Sequence, residues 1–173
     1  MIKLAKNAIV SRFTGISLLI PSVSQKLLEK RACFVTLTVN GKLRGCIGHI
    51  LPIQELYRDI MENAKAAAFD DPRFPPLTHQ ESDHIDIEIS ILTVPKPYPS
   101  QNSEDLLTFL GREKPGVILS KDSRQATFLP DVWNDLPNPK VFLTHLSLKA
   151  GLPHNAWIQE PHIQYYRTDV IKA

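Results

Sequence analysis

The residues best suited to chemistry lie in one short run, Arg44-Gly45-Cys46-Ile47-Gly48-His49. A cysteine becomes a strong nucleophile when a neighbouring cation favours its thiolate. Arg44 stands just before Cys46 and His49 just beyond it. An arginine also grips a carboxylate or phosphate with two parallel hydrogen bonds. Gly45 and Gly48 weaken a strand by propensity, so their presence implies a β-bulge or the close approach of a ligand or backbone. Exposed glycine N–H groups at a bulge can also serve an oxyanion. The run therefore offers a thiol site with an anion grip. Cys46 and Arg44 are its candidate catalytic pair, and Gly45, Gly48 and His49 its candidate binding groups. A plainer reading stands beside this one. In it Cys46 is a small buried hydrophobe, Arg44 an exposed strand residue and the glycines bulge formers.

Arg73 is the remaining binding candidate. It lies in the proline-braced stretch Asp71-Pro72-Arg73-Phe74-Pro75-Pro76, and a stiff loop presents a long side chain at low entropic cost. It reads equally as an anion contact and as a structural arginine on helix-end carbonyls. Adjacent acids such as Asp70-Asp71 more commonly cap a helix or meet water than share acid–base work. The six histidines are scattered without ligand spacing, and two cysteines are too few for a thiolate zinc site. No metal site is expected, and no motif names a cofactor: a phosphate-binding loop, a dinucleotide fingerprint and a serine elbow are all missing.

The candidates must be positioned by a hairpin. Cys33, Val35, Leu37 and Val39 alternate with Phe34, Thr36 and Thr38 in a β-rich run. Asn40-Gly41 follows, the strongest short-range hairpin signal, because both residues tolerate positive φ. A two-residue loop predicts the return strand from Lys42 to Ile50. It would set Leu37 opposite Arg44, Val35 opposite Cys46 and Cys33 opposite Gly48. Arg44 and Cys46 would then share a face with Val35 and Leu37. A Cys33–Cys46 disulfide is disfavoured, since the two would be diagonal rather than opposed.

Around the hairpin, Leu4 to Phe13 falls at helical spacing with Gly15 as its stop. Ile16 to Arg31 reads as a connection with one short helix. A long helix starts near Pro52, its apolar face running from Ile53 through Ile60 to Ala68, and ends at Asp71-Pro72. Thr78 and Glu81 predict a capping box. Ile85 to Ile91 alternates as a half-buried strand. A helix from Ser103 to Leu110 closes at Gly111. Val117 to Leu119 and Ala126 to Leu129 predict a second hairpin, Val141 to Ala150 a further helix, and Ile163 to Tyr166 a last strand. Hairpins and helices without regular β-α-β alternation make the chain α+β.

The length suits one domain, or two lobes at about 1–100 and 101–173. The formal net charge of +2 carries no footprint for nucleic acid. No apolar run approaches the roughly 20 residues that cross a bilayer. With no signal-peptide pattern at the start, a reducing cytoplasm is the expected compartment.

The ordered blocks resemble a known family. Cys33-Phe34-Val35-Thr36-Leu37 with Asn40-Gly41-Lys42-Leu43-Arg44-Gly45-Cys46-Ile47-Gly48 is similar to the signature of the AMMECR-type domain. That domain is also called AmmeMemoRadiSam system protein A. The likeness continues through Ala66 to Leu77, Ile87 to Leu92, Ala126 to Pro130 and Lys149-Ala150-Gly151-Leu152. It implies an α+β fold of two unequal lobes around a cleft, with the six-residue motif at the functional site. It also implies a pathway shared with Memo-type and radical-SAM proteins, while eukaryotic relatives imply an adaptor role. Two departures stand out. Ser147 replaces an expected cysteine, and Arg31-Ala32-Cys33 replaces a glycine-rich approach to the first strand.

Overall fold

The computed structural model describes residues 1–16, 24–99 and 102–172. They divide into two units, Met1–Val94 with Asp169–Ala173, and Pro95–Thr168.

The first unit opens with helix α1 (Ile2–Thr14), which ends on Gly15 at φ 67°, as its sequence predicts. Of the connection that follows, α2 (Gln25–Leu28) is helical; residues 17–23 lie outside the described set. Strands β1 (Cys33–Val39) and β2 (Lys42–Gly48) form the expected hairpin. Asn40 and Gly41 both take positive φ, 51° and 73°. Helix α3 (Leu56–Phe69) starts later than Pro52, and Ile53 lies in the preceding loop. Helix α4 (His79–Ser82) carries the predicted Thr78–Glu81 capping box. Strand β3 (Ile85–Leu92) follows, and the chain's last strand, β8 (Thr168–Lys172), completes a sheet of order β2-β1-β3-β8.

One face of this sheet makes the core. Cys33, Val35 and Leu37 stand opposite Ile91, Ile89 and Ile87. Ala5 and Ile9 of α1 and Leu56, Ile60, Ala64 and Ala67 of α3 pack on them, all buried. The alternating apolar residues of β1 and β3 dictate this, since period two puts every second side chain on one face.

The second unit holds β4 (Lys96–Pro97), α5 (Ser103–Glu113), β5 (Gly116–Lys121), β6 (Arg124–Phe128), α6 (Pro139–Lys149) and β7 (His162–Tyr166). Its sheet runs β4-β7-β5-β6 with antiparallel pairs. Helix α5 passes through Gly111, and left-handed Lys114 directly before Pro115 closes it instead. The core gathers Leu110, Val117, Leu119, Phe142, Leu143 and Leu146, with the Trp133 ring stacked 3.7 Å from Phe142. Strand β8 has no counterpart among the sequence expectations. Its five residues hold only Val170 and Ile171 as apolar members, too few to announce a strand, and it belongs to the first unit.

Candidate functional site

The hairpin does not keep the register that its two-residue loop predicts. Val39 pairs with Lys42 and Thr38 with Leu43, but Leu37 then pairs with Gly45, Thr36 with Cys46 and Phe34 with Gly48. Arg44 is the extra residue of a β-bulge. A one-residue insertion turns every later side chain to the other face. Cys46 therefore leaves the face of Val35 and Leu37 and stands with Thr36 on the opposite one. Its thiol is half-buried, and the Thr36 hydroxyl donates to Sγ at 3.2 Å. Neither Cys33 nor Cys46 is in a disulfide.

Strand β2 is an edge of the sheet, and Asp71 and Arg73 cover its open side. The Cys46 N–H donates to Asp71 Oδ2 at 2.9 Å, and Arg73 Nη2 donates to the Cys46 carbonyl at 3.3 Å. The pair acts as a substitute strand of side chains, the sort of device that keeps an edge from templating another chain. Arg73 also holds both Asp71 oxygens, Nε to Oδ1 at 2.9 Å and Nη2 to Oδ2 at 2.7 Å. These Arg73 bonds, foremost, hold the buried Asp71 carboxyl well below the usual carboxylate range. Arg73 itself is 55% exposed and its guanidinium lies 5.5 Å from the Phe74 ring centre. The helix-end reading of Arg73 gives way to this strand-edge role.

Arg44 is committed elsewhere. Its Nε and Nη2 meet Glu81 Oε1 and Oε2 at 2.8 and 3.2 Å. Glu81 is the capping-box acid of α4 and also accepts from the Thr78 N–H at 2.8 Å. Arg44 chiefly brings the Glu81 carboxyl down from its ordinary 4.5 to about 2. The Arg44 side chain is 11% exposed, and its Nη1 is buried with no hydrogen-bond partner among the described residues.

Each glycine of the run has a packing reason. A Cβ on Gly45 would overlap the carbonyl oxygen of Ala67, so the missing side chain lets α3 lie directly on β2. A Cβ on Gly48 would overlap the Phe34 ring. Both glycines mark close approaches, by backbone at Gly45 and by both the Phe34 ring and the Cys33 carbonyl at Gly48.

His49 follows β2 on the α3 side of the sheet. Its Nδ1 lies 2.6 Å from Asp59 Oδ1. Asp59 is fully buried. Its Oδ2 accepts from the Cys33 N–H at 2.8 Å and from the Asn63 amide at 3.0 Å, while Gln54 donates to Oδ1 at 3.2 Å. Burial first, and the Asp59 charge second, push the neighbouring Cys33 thiol far up. Cys33 is thus an inert core thiol.

The AMMECR1 family model matches residues 2–171. The chain belongs to the AMMECR1 family. It is 39% identical to Protein Mbar_A1807 of Methanosarcina barkeri over 83% of this chain and 71% of that protein. It is 35% identical to Protein MJ0810 of Methanocaldococcus jannaschii, covering 96% and 84% respectively. The crystal structure of the uncharacterized protein PH0010 from Pyrococcus horikoshii superposes with TM-score 0.87 at 30% identity, covering 99% of this chain and 88% of that one. The Pyrococcus protein has the same α+β fold, and none of these names states a reaction.

Within this AMMECR1 domain, the candidate residues sort into separate neighbourhoods. Cys46 and Arg73 meet at the β2 edge, whereas Arg44 turns to Glu81 and His49 to Asp59. Sequence reasoning missed Thr36, Asp59 and Glu81 as partners of the run. Asp59 sits with Asn63 on the buried face of α3, and two polar residues in a largely apolar stripe were the available signal. Ser147, which replaces an expected cysteine, is fully buried in the second unit and donates to the Leu143 carbonyl at 2.8 Å. Among the described residues no cluster of three or more His, Cys, Asp or Glu side chains is placed to hold a metal, and no helix is long and apolar enough to cross a membrane.

Proposed function

We propose that this protein is an enzyme or a substrate-handling component whose working group is the Cys46 thiol, with Arg73 as its anion contact. The observation that carries the reading is the Arg73 guanidinium, half in solvent and anchored on the Cys46 carbonyl. A hydroxyl donating to sulfur and a cation within Coulombic reach both favour negative charge on the thiol. The N–H groups of Arg73 that Asp71 leaves uncovered supply a docking point for a carboxylate or phosphate. Arg44 enters as a support: by holding Glu81 it fixes the bulge that turns Cys46 outward. Gly45 and Gly48 shape the site through packing. Family membership supports a place beside Memo-type and radical-SAM proteins, and two cysteines outside any disulfide suit a reducing cytoplasm.

The test is the rate of Cys46 alkylation against pH in a Cys33→Ser protein. The reading expects reaction to persist below the ordinary thiol range near pH 8.5 and to slow in Arg73→Gln. A folded protein whose Cys46 stays inert at pH 9 ends it.

An adaptor reading has its own observation. Leu43, Leu51 and Ile53, in and just after the hairpin, are exposed apolar side chains. On this reading the hairpin is a rigid mount for a protein-binding surface. Cys46→Ser would leave partner capture intact, and Leu51→Asp with Ile53→Asp would abolish it.

A further inference from the structure

A cavity of about 60 Å³ lies wholly within the second unit, where the start of α5 meets the segment that leads into β7. At roughly 15 Å³ per water it has room for about four, the bulk of one small ionic head. Its lining includes the buried side chains of Leu106, Pro161 and Ile163, and two aromatic rings, Tyr98 and Trp157. Both rings pack on the second core and are only partly exposed. The Tyr98 N–H also donates to the Ile163 carbonyl at 2.8 Å, and its ring lies 5.1 Å from that of Phe109.

The polar part of the lining decides what charge the cavity accepts. The start of a helix ordinarily favours an anion. Here the Asn102 side chain already takes the Glu104 and Asp105 N–H groups, at 2.8 and 3.4 Å, and those two residues place carboxylates on the first turn. Burial first, and the Asp105 charge second, raise the Tyr98 hydroxyl above its ordinary value, so that charge is felt at the cavity wall. Ser103 and His162 add a hydroxyl and an imidazole. Glu160 completes the lining, and its carboxylate has no ion-pair or hydrogen-bond partner among the described residues.

Glu160 is also held in an unusual backbone conformation. Its φ is 52°, a left-handed value at a residue directly before a proline, where sterics favour extended backbone. The other positive-φ residues besides glycine turn the two hairpins or cap α5; Glu160 does neither. Lys121 of β5 donates to the Gln159 carbonyl and anchors this segment. Strain of this kind collects at ligand sites. Aromatic faces beside an unpaired carboxylate attract a cation. Aliphatic lining then suits one that carries methyl groups rather than a hydration shell.

We propose that this cavity binds a methylated ammonium group, with the cation against Tyr98 and Trp157 and its charge met by Glu160. NMR titration of the full chain with choline chloride, at matched chloride, tests it. The Trp157 indole N–H and the Ile163 methyls should shift saturably. The uncharged isostere 3,3-dimethyl-1-butanol should bind at least about tenfold more weakly. Glu160→Gln, a conservative change at an exposed residue, should raise the Kd for choline about fivefold, and Tyr98→Leu about tenfold. The Trp133 indole, bonded to the Pro115 carbonyl, should hold its resonance in both variants as the sign of an intact second unit. Nε-trimethyl-lysine presents the same head on another body; binding of either compound sustains the proposal, and the tighter of the two identifies the source of the group. Equal affinity for choline and its uncharged isostere overturns it. So do resonances that move with sodium acetate but not with choline, or with neither. None of these outcomes bears on Cys46, which lies in the other unit.

Discussion

The molecule contains two hairpins of one turn type, and they part company in their strands. Asn40-Gly41 and Asp122-Ser123 both place two residues at positive φ, the type I′ arrangement that matches strand twist. The β5–β6 ladder then runs unbroken from Lys121 opposite Arg124 to Val117 opposite Phe128. The β1–β2 ladder slips by one residue at Arg44. The slipped hairpin is the one that carries the half-buried Cys46 thiol. The bulge sends Arg44 to Glu81, seats Gly45 beneath α3 and turns Cys46 away from the core. A regular ladder would have kept Cys46 among Val35 and Leu37, as a hydrophobe.

The largest expected effect is at the bulge itself. Gly45→Ala places a methyl group inside the Ala67 carbonyl, and backbone cannot yield as a flexible side chain can. Urea denaturation should show a loss of about 3 kcal/mol or more. Ser120→Ala, in the regular hairpin, should stay within about 0.5 kcal/mol. Equal costs would erase the distinction between the two ladders.

The thiols give the next contrast. Cys33 faces the core and Cys46 the outer face, so brief iodoacetamide treatment followed by mass spectrometry should label Cys46 at least about a hundredfold faster, roughly 2.7 kcal/mol of differential access. Comparable labelling of both would mean that the register shift does not hold in solution.

Acid should act on the slipped hairpin through Asp71 and Glu81. Both folded carboxyls titrate below their ordinary values. Their contribution is therefore complete above the unfolded pKa values and is lost as pH falls through the folded ones. For Glu81 that window runs from about 4.5 down to about 2. Asp71→Asn should cost about 1.5–3 kcal/mol near neutral pH and flatten the acid limb of the stability profile. A wild-type profile that is flat down to pH 2 contradicts the pairing.

The smallest effect belongs to the regular hairpin. Ser123 holds φ 62°, so Ser123→Gly should raise stability by about 0.5 kcal/mol, the relief of left-handed strain less the added chain entropy. Any loss above about 1 kcal/mol would show that Ser123 does more than turn the chain.

Much of this was legible in the residues. Alternation gave β1 and β3, Asn40-Gly41 the hairpin, Thr78 and Glu81 the capping box, and the ordered blocks the family. The register was not legible, because a turn fixes pairing only as far as the first bulge, and a bulge adds one residue to one strand alone. Gly45 flagged a bulge without saying which residue would be extra. Partners were harder still. Asp71 lies 25 residues from Cys46 and Glu81 37 from Arg44, and no local periodicity records such meetings. Strand β8 was hidden because a five-residue run with two apolar members looks like a tail, and its neighbour β3 ends about 75 residues earlier.

The most direct test of the account uses two thiol reagents of opposite charge on the Cys33→Ser protein. Cys46 should react several-fold faster with an anionic methanethiosulfonate than with its cationic counterpart, each rate normalised to free cysteine. The preference should collapse in Arg73→Gln and fade with added salt. A cationic preference, or rates indifferent to Arg73, would contradict a thiol that sits on the outer face beside a half-exposed guanidinium.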